Sequence, residues 1–170
     1  MHTNFYDNNA EQLANQYLST SFETVHEAWI DFLPSILSKR NARILDLGAG
    51  AGRDSRYLAK QGAEHDVHVV AVEPAKLLAE IGQQQTRDLN VTWLEDSLPA
   101  LDVVCCQEVS FDLVLLSAVW MHIPPSDRAR SIRKLANLLK PGAKLVISLR
   151  HGPSGDERKM HDVSIEEIEL

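Results

Sequence analysis

Three glycines spaced two residues apart follow a short apolar strand, and no other feature constrains the fold as strongly. The strand is predicted over 43–47, the glycines are Gly48, Gly50 and Gly52, and a helix is predicted to begin at Arg53. A strand that turns through glycines into a helix is typical of the opening unit of a parallel α/β sheet. Ligands of such sheets bind at the carboxyl ends of the strands, where glycine allows a close approach to the backbone.

Strands and helices alternate over the remainder of the chain. Apolar or β-branched runs predict further strands over 67–72, 90–94, 111–116 and 144–149. The run from Phe111 to Leu116 is nearly all apolar, which is typical of a strand at the centre of a parallel sheet. Helices are predicted between the strands, with Gly62 closing one helix and Pro141 and Gly142 closing another. This alternation predicts right-handed crossovers and a doubly wound, mostly parallel α/β sheet.

The composition fits one globular domain. The chain has 170 residues, of which 44% are hydrophobic and 24% charged, enough to bury a core. A net charge of −7 argues against a general nucleic-acid binder, which needs a basic surface. Asp112 and Ser117 interrupt the longest apolar stretch, so no membrane span is predicted. We predict a single domain over 1–170, with a helical lid over 1–40, a core over 41–150 and a last part over 151–170.

The two cysteines give little information. Cys105 and Cys106 are adjacent and are predicted to be small buried side chains rather than a disulfide framework. Together with an N-terminus that lacks the pattern of a signal peptide, they fit a reducing, cytoplasmic location.

Further details follow from residues near the predicted ends of helices. The N-terminal helices are predicted to stop near Pro34, and Pro74 is predicted in the first turn of the helix after the second strand. Lys140 is predicted in the last turn of a helix over 125–140, where a cation suits the helix dipole. Arg128 is predicted on the solvated side of that helix.

An acidic residue ends the second predicted strand. Glu73 lies where a carboxylate can accept hydrogen bonds from both ribose hydroxyls of a nucleoside. The glycine spacing of dinucleotide sites fails, because Arg53 and Ser55 stand where the third glycine is needed. Asp46, two residues before the first glycine, suits a ligand that carries an ammonium group better than a pyrophosphate. These residues favour a nucleoside ligand over a dinucleotide.

Nearly the whole chain resembles the class I S-adenosylmethionine-dependent methyltransferases. The segment over 46–52, together with Glu73, looks like the first two motifs of that family. Three further segments look like its adenine-binding acidic loop, its fourth-strand motif and the approach to its fifth strand: 95–97, 111–123 and 138–142. The segment over 52–55 is similar to small-molecule members of the tellurite-resistance type. The resemblance implies a Rossmann-like fold with an N-terminal helical lid, S-adenosylmethionine as cofactor and a small-molecule acceptor.

The resemblance also implies a set of cofactor-binding residues. This set comprises Asp46, Gly48, Gly50, Gly52, Arg53, Glu73, Asp96, Ser97 and Tyr17. Glu73 is expected at the ribose and Asp96 at the adenine amino group, with Ser97 beside it. The methionine end is expected at Asp46 and the glycine backbone, and also at Arg53 and Tyr17. Simpler interpretations stay open: Asp46 fixes the loop, Arg53 is a solvated helix-start residue, Asp96 is a turn residue, and Tyr17 packs in the core.

The acceptor side is less defined by the sequence. His122 lies just past the fourth predicted strand, where the methyl group is expected, so it is the candidate catalytic base, with packing as the open alternative. His151, after the fifth strand, is a weaker candidate. The motifs of enzymes that methylate nucleic-acid bases are absent after the fourth strand, as are acidic metal ligands after the fourth and fifth strands. A small-molecule acceptor is therefore expected, without a metal.

Five strands are predicted, whereas the family usually has seven. Strands six and seven are apparently missing, which leaves the strand over 144–149 as an apolar edge. We predict that this edge pairs with a second copy in a homodimer or is covered by the chain's own segment over 160–170. A small-molecule methyltransferase is the favoured function. The alternatives are a cofactor-binding domain that is inactive as it stands and, with least support, a nicotinamide dinucleotide-dependent oxidoreductase.

Overall fold

The computed structural model describes residues 3–149, 159–164 and 167–168 and contains one five-stranded sheet. Its strands are β1 (Arg43–Leu47), β2 (His68–Val72), β3 (Val91–Leu94), β4 (Phe111–Ser117) and β5 (Leu139–Ser148). The order across the sheet is β3-β2-β1-β4-β5, and every neighbouring pair is parallel. The predicted doubly wound α/β fold is confirmed, with β1 placed as predicted.

Helices precede β1 and connect the strands. They are α1 (Thr3–Asn8), α2 (Ala10–Leu18), α3 (Phe22–Val25), α4 (Leu33–Leu37), α5 (Arg53–Gln61), α6 (Lys76–Gln85), α7 (Asp102–Cys105) and α8 (Pro125–Leu138). Helix α5 begins directly after the glycines, as predicted, and the N–H of Gly62 caps it by donating to the carbonyl of Leu58. The N-terminal segment is helical, also as predicted.

The strand order creates a crevice beside β1. From β1 the chain builds outward through β2 to β3, and it then crosses back to place β4 on the other side of β1. The loops that leave β1 and β4 therefore diverge, which opens a gap at the carboxyl ends of these strands. Ligands of open α/β sheets bind at this place.

Alternating side chains of the strands build two apolar cores, one on each face of the sheet. Leu45 of β1 and Val114 of β4 lie in the first core, whereas Ile44 and Leu113 lie in the second, and all four are fully buried. By the same alternation Asp46 shares the face of Ile44, which α5 covers. A carboxylate is thus placed inside an apolar layer, close to where the crevice opens.

Helix α6 lies close to the end of the glycine segment. A Cβ at Gly82 of α6 would collide with the indole ring of Trp93 in β3. A Cβ at Gly52 would come within 3.0 Å of the Cα of Gly82 and 3.1 Å of the same ring. The indole N–H donates to the hydroxyl of Thr86 at 2.9 Å, which fixes the ring. The start of α5 and the middle of α6 therefore approach each other only because side chains are absent at both contact points.

Three predicted helix ends are wrong. Pro34 lies in the first turn of α4 rather than stopping a helix, since a proline in that turn loses no helical hydrogen bond. Pro74 precedes α6, which Ala75 caps. Helix α8 ends at Leu138, and Lys140 belongs to β5, where its ammonium donates to the carboxylate of Asp112 at 2.6 Å. This ion pair draws Lys140 away from the helix dipole.

Two predictions of burial are also wrong. Arg128 is buried, because its guanidinium donates to the carbonyls of Ile123 and Asp162 and pairs with Glu167. Its stem is thereby enclosed by a segment far along the chain. Cys105 and Cys106 are exposed, since the short α7 ends at the surface and turns its last residues outward.

Strand β5 lies at the edge of the sheet, and no strand in the described part of the chain pairs with its outer side. Val163 and Ile168 pack against the first core, and the N–H of His161 donates to the carbonyl of Met121 at 2.8 Å. The later segment therefore contributes to the core, while homodimer formation stays a prediction. His151 lies outside the described residues. Among those residues no helix is both long and apolar enough to cross a bilayer.

Candidate functional site

A cleft opens at the carboxyl ends of β1 and β4, with its walls formed by the N-terminal helices and the loops that follow β1, β2 and β4. Six of the predicted site residues line it together: Tyr17, Gly48, Gly50, Arg53, Glu73 and His122. Four others lie outside the lining: Asp46, Gly52, Asp96 and Ser97. The cleft thus joins side chains that are far apart in the sequence.

The loop after β1 has a conformation that side chains other than glycine rarely adopt. Gly48 has φ +73° and Gly50 has φ +55°, both in the left-handed region. The N–H groups of Gly48 and Ala49 donate to the carbonyl of Val72, at 2.8 and 3.0 Å, so the loop is fastened to the end of β2. A Cβ at Gly48 would also collide with Val119 after β4. The glycines therefore fix the shape of the cleft floor.

Glu73 connects the loops that follow β1 and β2. Its carboxylate accepts hydrogen bonds from the N–H of Gly50 at 2.8 Å and from the N–H of Ala75 at 2.9 Å, and the residue is 7% exposed. Burial raises the pKa of Glu73, although the two backbone bonds oppose that effect and nearby Asp7 adds to it. The carboxylate is thereby held at the cleft surface.

Asp46 lies behind the glycine loop and not in the cleft lining. It is 1% exposed and accepts a hydrogen bond from the hydroxyl of Ser55 at 2.6 Å. Burial, followed by repulsion from Asp54, raises the pKa of Asp46 to about 7. This geometry fits the simpler interpretation, in which Asp46 fastens the start of α5 below the loop.

Arg53 and Asp54 form an ion pair in the cleft wall. The Nε of Arg53 donates to Oδ1 of Asp54 at 2.6 Å, and Nη1 lies 3.4 Å from the carbonyl oxygen of Tyr17. Arg53 is therefore not a freely solvated residue, and its guanidinium is held between α2 and α5. Tyr17 lines the cleft beside Gly50, where a Cβ would lie 3.6 Å from its ring.

Asp96 is engaged by backbone groups of its own loop. One carboxylate oxygen accepts from the N–H of Ser97 at 2.8 Å, and the other accepts from the N–H of Val104 in α7 at 3.0 Å. Both residues are half-buried and lie outside the cleft lining. The contacts fit the turn interpretation, and the adenine role of Asp96 stays a prediction.

His122 faces the cleft from the turn that follows β4. Its Nδ1 lies 3.1 Å from the carbonyl oxygen of Lys159, and its Nε2 lies 3.2 Å from the hydroxyl of Tyr6. A carbonyl only accepts hydrogen bonds, so Nδ1 carries the proton and Nε2 of the neutral ring is an acceptor. The geometry thus directs a basic nitrogen toward Tyr6 of α1.

Sequence reasoning missed several lining residues. Asp54, Met121 and Met160 were not assigned to the site, and Tyr6 was not among its candidate residues. The position of Asp54, next to Arg53 and just after the glycines, is a signal that could have found it. Met160 gives no such signal, because only the folded chain brings it to the cleft.

Comparisons with known proteins agree with this geometry. A family model described as a methyltransferase domain matches residues 44–142, which include the glycine loop and Glu73. An arsenite methyltransferase from Rattus norvegicus is 28% identical over 149 residues, covering 78% of this chain and 39% of that protein. A ubiquinone biosynthesis O-methyltransferase from Xylella fastidiosa is 30% identical over 120 residues, covering 70% of this chain and 46% of that protein.

A solved structure also shows similarity to a methyltransferase. The crystal structure of an arsenic(III) S-adenosylmethionine methyltransferase from Chlamydomonas reinhardtii matches with a TM-score of 0.54 and 30% identity, covering 62% of this chain and 38% of that one. The chain spans less than half the length of the curated relatives that it matches. With its parallel sheet, its glycine loop and a family match over more than half its length, the chain belongs to the methyltransferase-domain family.

Proposed function

We propose that the chain binds S-adenosylmethionine in the cleft and transfers its methyl group to a small-molecule acceptor. The observation that carries the proposal is one cleft in which the glycine loop and a buried Glu73 face His122. The family match over 44–142 supports the cofactor, and the activities of the two relatives named above support methyl transfer to a small molecule.

The cofactor residues divide by the part of the ligand that each would hold. Glu73 presents a carboxylate that suits two ribose hydroxyls. The N–H groups of the glycine loop and the guanidinium of Arg53 suit the methionine carboxylate. Asp54, which lines the cleft where Asp46 does not, is the nearer carboxylate for the methionine ammonium. The donors and acceptors present therefore fit the cofactor.

The cofactor supplies a methyl group already activated by its sulfonium. The chain's own residues have to bind the acceptor in line with that group and exclude competing water. Met121, Met160 and Val119 give this part of the cleft an apolar lining. Such a lining suits an organic acceptor of modest size.

His122 is proposed as the base for an acceptor that carries a proton. Its neutral Nε2 can take a proton from an acceptor hydroxyl as the oxygen–methyl bond forms, while the carbonyl of Lys159 keeps the ring oriented through Nδ1. The hydroxyl of Tyr6 lies at the same nitrogen and marks where a donor group sits. This arrangement favours a hydroxyl acceptor over one that needs no base.

A turnover screen with labelled methyl donor tests the proposal. The acceptors would be small hydroxyl compounds and arsenite, and Glu73→Ala would serve as the negative control. Calorimetry with S-adenosylmethionine, S-adenosylhomocysteine and NAD tests the cofactor independently. Binding of the first two without NAD, followed by label transfer, supports the proposal. Cofactor binding without transfer to any acceptor would favour an inactive binding domain, and NAD binding would favour an oxidoreductase.

A further inference from the structure

A histidine of the N-terminal segment is fully buried against the start of α5. His26 follows α3 and has 0% exposure. Its Nε2 lies 2.8 Å from Oδ2 of Asp54, and its Nδ1 lies 3.0 Å from the indole Nε1 of Trp29. Neither the family motifs nor the proposed chemistry accounts for a polar ring at this place.

The two contacts determine which nitrogen of His26 carries the proton. An indole N–H can only donate, so Nδ1 of His26 must accept from Trp29 and is unprotonated. The proton is therefore on Nε2, which donates to Asp54. Trp29 thus selects the tautomer that can hold the carboxylate.

Asp54 connects His26 to Arg53 in the cleft wall. Its second oxygen accepts from Nε of Arg53 at 2.6 Å, so one carboxylate joins the imidazole and the guanidinium. Burial would raise the pKa of Asp54, but the hydrogen bonds from His26 and Arg53 outweigh burial and lower it. The carboxylate stays ionised, and the remaining N–H donors of Arg53 lie in the cleft wall.

We propose that His26 is a positioning residue for the amino-acid end of the cofactor, acting through Asp54 on the guanidinium of Arg53. The proposal rests on the proposed function, because it assumes that a zwitterionic amino-acid group enters this part of the cleft. It also connects the N-terminal segment to cofactor binding through a buried polar contact. A purely packing role is the competing explanation, since His26 also packs against the ring of Phe22 at 4.4 Å between centroids.

Two substitutions separate positioning from packing. His26→Gln can place its amide N–H near the position of Nε2 and its oxygen near Trp29, so it retains the donation to Asp54. His26→Phe retains an aromatic ring but leaves Asp54 without this donor. Circular dichroism and thermal melting of both variants show whether they are folded before binding is measured.

Two ligands separate the amino-acid end from the nucleoside. S-adenosylhomocysteine carries the amino-acid group, and 5′-methylthioadenosine lacks it. We expect His26→Phe to lower the affinity for S-adenosylhomocysteine about tenfold, because one charge-assisted hydrogen bond to the ligand is displaced. The affinity for 5′-methylthioadenosine should change less than about twofold. His26→Gln should restore S-adenosylhomocysteine affinity to within about threefold of the parent.

A double-mutant cycle tests whether His26 acts through Arg53. In an Arg53→Gln background, His26→Phe should cost clearly less affinity for S-adenosylhomocysteine than it costs in the parent protein, because the guanidinium that it positions through Asp54 is gone. Equal losses for both ligands, or additive effects in the cycle, would overturn the inference while leaving the proposed function intact. A parent protein that binds neither ligand would overturn both.

A measurement on the unsubstituted protein guards against variants that do not fold. Long-range proton–nitrogen correlation spectra distinguish a protonated from an unprotonated imidazole nitrogen. In the unsubstituted protein, His26 should show a protonated Nε2 and a bare Nδ1. A protonated Nδ1 in the parent protein would overturn the inference.

Discussion

The two walls of the cleft are held by different kinds of contact. The proposed cofactor wall, which comprises residues 48–51, Arg53 and Glu73, is fastened by backbone groups of neighbouring loops. The acceptor wall, which comprises Tyr6, His122 and Met160, depends on a hydrogen bond that spans 116 positions and another that spans 37. A local motif therefore holds the proposed cofactor wall, whereas distant segments hold the proposed acceptor wall.

The comparison predicts that the two walls can be disabled separately. Changes in the cofactor wall should weaken ligand binding, and changes in the acceptor wall should slow turnover with little effect on cofactor affinity. Each substitution below either separates the walls or shows that they are coupled.

The largest effect is expected from Glu73→Ala in the cofactor wall. The substitution removes two charge-assisted bonds to the ribose at roughly 1.5–3 kcal/mol each, so affinity for S-adenosylhomocysteine should fall about 1,000-fold. It also releases Gly50 and Ala75, which accounts for part of the loss. Calorimetry measures the effect, and Glu64→Ala, at an exposed position away from the cleft, is the matched control. An affinity within threefold of the parent would remove Glu73 from the site.

The next effect is expected from His122→Ala in the acceptor wall. Loss of a general base should lower kcat about 100-fold for a hydroxyl acceptor. Cofactor affinity should stay within about twofold, since His122 donates to Lys159 and not to the glycine loop. Steady-state kinetics and calorimetry together measure this separation, with exposed His65→Ala as control. A large loss of cofactor affinity would instead show that His122 packs the cleft.

A smaller effect is expected from Gly50→Val. The valine is forced into φ +55° and places a branched side chain at the cleft floor, so S-adenosylhomocysteine affinity should fall about tenfold beyond any folding cost. Gly142→Val is the matched control, because Gly142 of β5 has φ +77° and an added Cβ there would meet no atom within 4 Å. Thermal melts should show similar destabilisation for both variants. Similar binding by both would mean that the ligand does not approach Gly50.

The smallest effect on ligand binding is expected at Asp46, where the predicted change is in how stability depends on pH. A carboxyl whose pKa rises from 3.8 to about 7 on folding binds a proton in the folded state that the unfolded chain has lost. The free energy of unfolding should therefore fall as the pH rises from about 4 to about 7, by at most about 1.4 kcal/mol per unit. Asp46→Asn should flatten this slope in urea titrations, whereas exposed Asp88→Asn should not. An unchanged slope would mean that Asp46 stays ionised.

The sequence predicted the fold well where local rules decide it. The passage from β1 through the glycines to α5 was placed to the residue, because strand pattern, glycine conformation and helix start agree within about twenty positions. The position of Glu73 directly after β2 was predicted for the same reason, since it depends only on where β2 ends, and its role at the ribose stays a prediction.

Errors arose where a distant residue outweighed a local rule. Lys140 pairs with Asp112 in β4 instead of lying in the last turn of α8. Arg128 is buried because it contacts Asp162 and Glu167. The contact between His26 and Asp54 spans 28 positions and no local pattern predicts it. A single sequence shows these residues but does not show which distant residues they contact in the folded chain.

The contact of Gly52 and Gly82 with Trp93 has a consequence for how this domain can change over time. A larger residue at position 82 collides with the indole ring, so it is acceptable only after Trp93 has become smaller. Trp93 in turn donates to Thr86, which penalises the first step of that route. The order of substitutions is thereby restricted, and effects at these positions should depend strongly on the genetic background. Libraries that vary positions 52, 82 and 93 one at a time will therefore underestimate how many combinations of residues fold.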